Sequence, residues 1–190
     1  AALMVPGSDV MIENVGINET RSGIIDVIRA MNGKITLVNE RYFGGEPVAD
    51  LHIQYTKDLV ATTIEGDMIP RLIDEIPILA LLATRAKGIT VIKDAEELKV
   101  KETNRIDVTV NQLKEIGAQI RSTDDGMIIT GQPEGSFNQA SVSSHKDHRI
   151  AMMLCVASLL IDEPLIIEDV ESMEISYPDF LKHLNVLLGN

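Results

Sequence analysis

The chain has 190 residues with 29 acidic and 17 basic side chains, a formal net charge of −12, 45% hydrophobic residues and 3% aromatic ones. That length is enough for one substantial domain or two small ones, and so negative a surface repels nucleic acid and anionic membranes at long range. A site for an anionic ligand is therefore expected to be a local basic exception. With no Trp, the core must come from Ile, Leu, Val, Ala and Met.

Residues 10–15 read as a strand. Residues 19–31 read as a helix with Ile24, Val27, Ile28 and Met31 at helical spacing, stopped by Asn32-Gly33. Short strands follow at 35–38 and 51–55, with a turn at Gly44-Gly45 between them. Residues 62–65 are a strand, and 74–86 a helix apolar on nearly every face (Ile76, Ile78, Leu79, Leu81, Leu82), which should be buried on both sides. Gly88 ends it before a β-branched strand at 89–92. The helix expected at 103–116 carries Ile106, Val110 and Leu113 and stops at Gly117. Strands at 119–122 and 127–130 flank Asp124-Asp125-Gly126, a hairpin signal. A strand near 140–144, an apolar helix after Asp147 and a strand at 165–167 come next. Ser176-Tyr177-Pro178 then opens a closing helix whose apolar side chains are Phe180, Leu181, Leu184 and Leu187-Leu188.

The stretches repeat. Arg21 stands 12 residues before Gly33 and Arg105 stands 12 before Gly117, while Asp74 and Asp147 each precede an apolar helix. About three copies of a unit with two helices and several short strands account for this, so the architecture is repetitive. No apolar run reaches bilayer length and no secretory signal opens the chain. The single Cys155, in an apolar helix, is read as a core residue without a catalytic role. A reducing, cytoplasmic location is expected. The opening Ala1-Ala2-Leu3-Met4 fits a processed chain, a cloning scar or a piece of a longer protein.

Charged residues gather at three helix starts: Asp74, the run Lys101-Glu102-Thr103-Asn104-Arg105, and the run Asp147-His148-Arg149. Backbone amides and the dipole favour an anion there, and Lys101 and Arg105 add positive charge. Taken singly, Asp74 reads as an N-cap ahead of Pro77, Glu102 as a complement to the dipole and His148 as a structural histidine. Arg149 leads a helix too apolar to face solvent and needs a partner: Asp147, Asp74 or an anionic ligand.

The strings Asp74-Glu75-Ile76-Pro77, Leu98-Lys99-Val100-Lys101-Glu102-Thr103-Asn104-Arg105 and Asp147-His148-Arg149-Ile150-Ala151-Met152 resemble the 5-enolpyruvylshikimate-3-phosphate synthase family. So do Ser176-Tyr177-Pro178 and Gly16-Ile17-Asn18-Glu19-Thr20-Arg21. The resemblance runs over nearly the whole chain in order. It implies an α/β fold, the inside-out α/β barrel domain of enolpyruvyl transferases built from three βαβαββ repeats. Residues 1–190 would be a single domain, the C-terminal one of two, with the N-terminal domain absent.

The implied reaction moves the carboxyvinyl group of phosphoenolpyruvate onto the 5-hydroxyl of shikimate 3-phosphate and releases phosphate, with no cofactor and no metal. Asp74 would handle the hydroxyl proton and Glu102 the methylene proton. Lys101 would reach the sugar-acid substrate, Arg105 and Arg149 would hold phosphoenolpyruvate, and His148 would line the same pocket. The implied partners are these two substrates and the N-terminal domain, in a monomer, with neither nucleic acid nor membrane. Two departures stand out: Asn104, where many relatives have Asp, and Met173-Glu174-Ile175, where some have a Lys. The rival readings are the sister transferase that acts on UDP-N-acetylglucosamine and a non-catalytic ligand-binding domain of the same fold.

Overall fold

The computed structural model describes residues 1–189. Its strands and helices are β1 (Asp9–Gly16), α1 (Gly23–Ala30), β2 (Lys34–Phe43), β3 (Glu46–Gln54), β4 (Thr63–Ile64), α2 (Ile76–Ala83) and β5 (Ile89–Ile92). Then come α3 (Arg105–Glu115), β6 (Gln119–Ser122), β7 (Met127–Thr130), β8 (Ser141–Ser143), α4 (His148–Ser158), β9 (Ile166–Glu168) and α5 (Phe180–Leu187). Four 3-10 turns not foreseen in the sequence join them, at Gly66–Arg71, Ile73–Glu75, Glu96–Val100 and Val170–Ile175.

Pairing makes the repeat visible. From β4 to β7 the chain runs through one complete βαβαββ unit, with β4 parallel to β5 across α2, and β7 antiparallel to both β5 and β6. The first stretch repeats the second part of that unit: β3 lies between β1 and β2, antiparallel to both, with α1 in the place of α3. The last stretch repeats the first part, β8 parallel to β9 across α4. Three units are therefore present, one complete and two partial.

The helices between parallel strands must bury all round, because sheet and neighbouring helices cover them. Helix α2 accordingly buries Ile76, Pro77, Leu79, Ala80, Leu81, Leu82 and Ala83, and α4 buries seven residues from Ile150 to Ala157. The two helices pack on each other and on α3, so their N-termini lie at one end of the core. Helix α5 differs from its expected role. None of its residues is fully buried, and Leu181, Val186 and Leu187 remain exposed. No helix among the described residues is long and apolar enough to cross a membrane.

Hairpin β2–β3 is longer than its sequence pattern suggests because β-bulges hide the alternation. Asn14 and Asn39 take φ of 58° and 53° where the register with β3 shifts. Both asparagines bond the Asp50 carboxylate, which also accepts from Arg41 at 2.9 Å. The Arg41 guanidinium, with those two bonds, holds the Asp50 carboxyl down at about 2.

Candidate active site

Helix α4 starts at Asp147, whose extended backbone (φ −94°, ψ 118°) makes it the N-cap. Its Oδ1 accepts from the backbone N–H of Arg149 at 2.9 Å and of Ile150 at 3.4 Å. Helix α3 starts one residue after Asn104, whose side chain accepts from the Asp107 N–H at 3.2 Å. That cap places Arg105 at the first helical position, pointing inward, and its side chain is only 2% exposed.

Arg105 is the hub. Its Nε donates to Asp147 Oδ2 at 2.7 Å, Nη1 to Asp74 Oδ1 at 2.9 Å and Nη2 to Glu102 Oε2 at 2.5 Å. Each guanidinium nitrogen thus donates a charge-assisted hydrogen bond to a carboxylate from a different segment. Asp147 Oδ2 also accepts from Thr103 Oγ1 at 3.2 Å. Burial alone would push the Asp147 carboxyl up, but the bond and charge of Arg105 and the two helix N–H groups outweigh it and hold it below its usual value. Burial likewise works to lower Arg105, and the bond and charge of Asp147, with Glu102 and Asp74, reverse the sign.

Asp74 does not cap α2. It lies in the Ile73–Glu75 turn, and the cap position falls to Glu75, which makes no side-chain cap bond. The tighter turn directs Asp74 to Arg105 instead. Asp74 and Glu102 are 42% and 47% exposed, so each presents a carboxylate to solvent while anchored from below. His148 approaches Glu102, with Nδ1 3.9 Å from Oε1.

Arg149 is held differently. Its nearest carboxylate oxygens are Glu75 Oε1 at 3.4 Å and Asp74 Oδ2 at 3.6 Å, and its buried Nε has no hydrogen-bond partner among the described residues. Of the partners expected for Arg149, Asp74 is the carboxylate its side chain approaches, whereas Asp147 meets only its backbone N–H and gives its other oxygen to Arg105. Burial raises the Glu75 carboxyl above its usual value, and the nearby Arg149 charge only partly opposes this.

Five of the six residues expected at the site, Asp74, Glu102, Arg105, His148 and Arg149, thus meet. Lys101 stands beside them, its ammonium paired with Glu97 in the preceding turn. The expected basic exception is not what the fold builds. Asp74, Glu75, Glu102 and Asp147 surround two guanidinium groups, so the carboxylates outnumber the cations. Glu75 and the linking role of Asp147 went unseen in sequence. Their signal was adjacency to Asp74 and to Arg149, and only the turn geometry decides which carboxylate faces inward. Among the described residues, no group of three or more His, Cys, Asp or Glu is placed to hold a metal ion.

The family model described as EPSP synthase (3-phosphoshikimate 1-carboxyvinyltransferase) matches residues 1–184. The 3-phosphoshikimate 1-carboxyvinyltransferases of Staphylococcus epidermidis and Bacillus subtilis are 53% and 54% identical over 187 residues, 98% of this chain. The match spans 42% and 43% of those relatives, so the chain covers about two fifths of their length. Among solved structures, EPSP synthase from Acinetobacter baumannii superposes with a TM-score of 0.93 at 39% identity, over 98% of this chain and 43% of that one. The enolpyruvyl transferase NikO from Streptomyces tendae superposes at 0.76 with 18% identity, over 98% and 40%, a likeness of fold alone. The fold is that of an enolpyruvyl transferase domain.

Proposed function

Because the chain belongs to the EPSP synthase family, we propose that the Arg105 cluster is one wall of a site for carboxyvinyl transfer from phosphoenolpyruvate to the 5-hydroxyl of shikimate 3-phosphate. The observation that carries this reading is the pair of half-exposed carboxylates, Asp74 and Glu102, anchored on one buried guanidinium. The reaction needs two proton transfers at different atoms. The hydroxyl oxygen bonds to C2 of phosphoenolpyruvate and loses its proton while the methylene carbon gains one. The tetrahedral adduct then returns a proton from the methyl group as the C–O bond to phosphate breaks. Asp74 takes the hydroxyl proton and Glu102 serves the carbon, each held in place for it.

Arg149 and His148 meet the anionic donor. Arg105 adds its positive charge from behind them while its bonds to Asp74 and Glu102 stay in place. Lys101 reaches the acceptor on leaving Glu97. No metal or organic cofactor enters these steps. Four carboxylates against two guanidinium groups leave this wall short of positive charge for two phosphorylated substrates. That shortage, with coverage of two fifths of the relatives' length, supports a further domain that supplies cations; residues 1–190 would be the C-terminal domain of the two, in a monomer, as the resemblance of their motifs implies. A buried Cys155, its thiol pushed up to about 11 by burial, suits a cytoplasmic setting.

Joining these residues to the N-terminal half of the Bacillus subtilis relative tests the reading. Phosphate release from phosphoenolpyruvate should require shikimate 3-phosphate. Release driven only by UDP-N-acetylglucosamine would overturn it.

A further inference from the structure

Arg105 and Arg149 both lie within reach of Asp74, yet only Arg105 is fully engaged. Arg149 touches two carboxylates at distances beyond a good charged hydrogen bond, and its buried Nε has no partner among the described residues. A guanidinium held in this way is restrained by charge rather than by fitted bonds, so a ligand with well-placed oxygens can displace the restraint.

The restraint comes chiefly from Glu75, which is half-buried beside a cavity of about 180 Å³. The charged groups facing Glu75 are Arg149 of α4 and Asp74 of its own turn. The other walls are apolar: Pro77 and Ile78 of α2, Met152 and Val156 of α4, and Phe180 of α5. In such surroundings a carboxylate stays ionised only with help from a neighbouring cation. We propose that Glu75 is a positioning residue that holds Arg149 in reserve and releases it to an incoming anion by taking up a proton.

This inference rests on the active-site reading above and adds proton coupling to it. The burial that already raises the Glu75 carboxyl acts in the required direction. Once an anion has drawn the Arg149 charge away, the carboxyl rises further and gains a proton. Anion binding at Arg149 is therefore tightest where Glu75 is protonated and weakens as pH rises through the free-protein value. For one coupled proton the steepest slope is about tenfold in affinity per pH unit.

Sulfate is the probe, since it does not titrate from about pH 5 to about 8 and any linkage then belongs to the protein. Its affinity for the wild-type protein should fall across that range. Glu75→Gln should bind sulfate more tightly than wild type at the alkaline end and with a shallower pH dependence. The 13C carboxyl titration of Glu75 in unmutated protein reads the same coupling, and its midpoint should move up when sulfate is added. An unmoved midpoint, or an unchanged pH profile in Glu75→Gln with binding still lost in Arg149→Ala, overturns the inference and leaves the site intact. Sulfate binding that is absent, or unaffected by Arg149→Ala, overturns the anion site itself and the inference with it.

Discussion

The two oxygens of Asp147 act on different elements. Oδ1 caps α4, and Oδ2 holds Arg105 at the start of α3. Taking Arg105 and Asp147 out of water costs several kcal/mol per ion, which their attraction only roughly offsets. The contact therefore fixes the relative position of two helix starts more than it adds stability. Breaking it is another matter, because Asp147→Ala leaves the buried Nε of Arg105 without its partner and uncaps α4, and should cost about 2–5 kcal/mol in urea unfolding.

The pH dependence of that contact has a defined sign. The Asp147 carboxyl is lowered in the folded state, so its contribution is present above its unfolded value and is lost as pH falls through the folded one. Asp147→Asn should flatten the acid side of the stability curve. Glu75, raised by burial, acts oppositely: its contribution is present below its unfolded value and lost as pH rises through the folded one. Glu75→Gln should remove that loss. The charged residues at the helix starts were legible in sequence because Asp74 and Asp147 each precede an apolar run and Arg105 opens an amphipathic one. Their pairing was not, since a 3-10 turn at Ile73–Glu75 rotates Asp74 away from its cap position and brings Glu75 toward Arg149.

Among the elements, the strands at 89–92, 119–122 and 127–130 lie where alternation and turn residues place them. The helices at 74–86 and 103–116 are shorter than periodicity suggests, at Ile76–Ala83 and Arg105–Glu115, because local turns take their ends. Backbone proximity is likewise invisible in composition. A Cβ on Gly131 would lie 1.6 Å from the Ala86 carbonyl oxygen, behind β7 and beyond α2, whereas one on Gly16 meets nothing within 4 Å. Gly131→Ala should therefore lower stability by about 1–3 kcal/mol or more, and Gly16→Ala should stay within about 0.5 kcal/mol of wild type. Thermal and urea unfolding of the two variants read the contrast.

At the scale of the molecule, the repeat was legible from paired landmarks such as Arg21 with Gly33 and Arg105 with Gly117. Its partial form was not, because strands of two to four residues such as β4 and β8 carry too little pattern. The arrangement gathers the N-termini of α2, α3 and α4 around Arg105 and leaves carboxylates in excess there. The 190-residue protein is accordingly expected to fold with a single cooperative transition yet release no phosphate from phosphoenolpyruvate and shikimate 3-phosphate, and appreciable turnover by it alone would contradict the proposed two-walled site. The most direct test compares wild type with Glu102→Gln in the protein joined to the N-terminal half of its Bacillus subtilis relative, following phosphate release from phosphoenolpyruvate and shikimate 3-phosphate. Loss of about 10²–10⁴ in rate with the fold retained is the outcome for a proton-transfer group, and an unchanged rate would make Glu102 no more than a partner for Arg105.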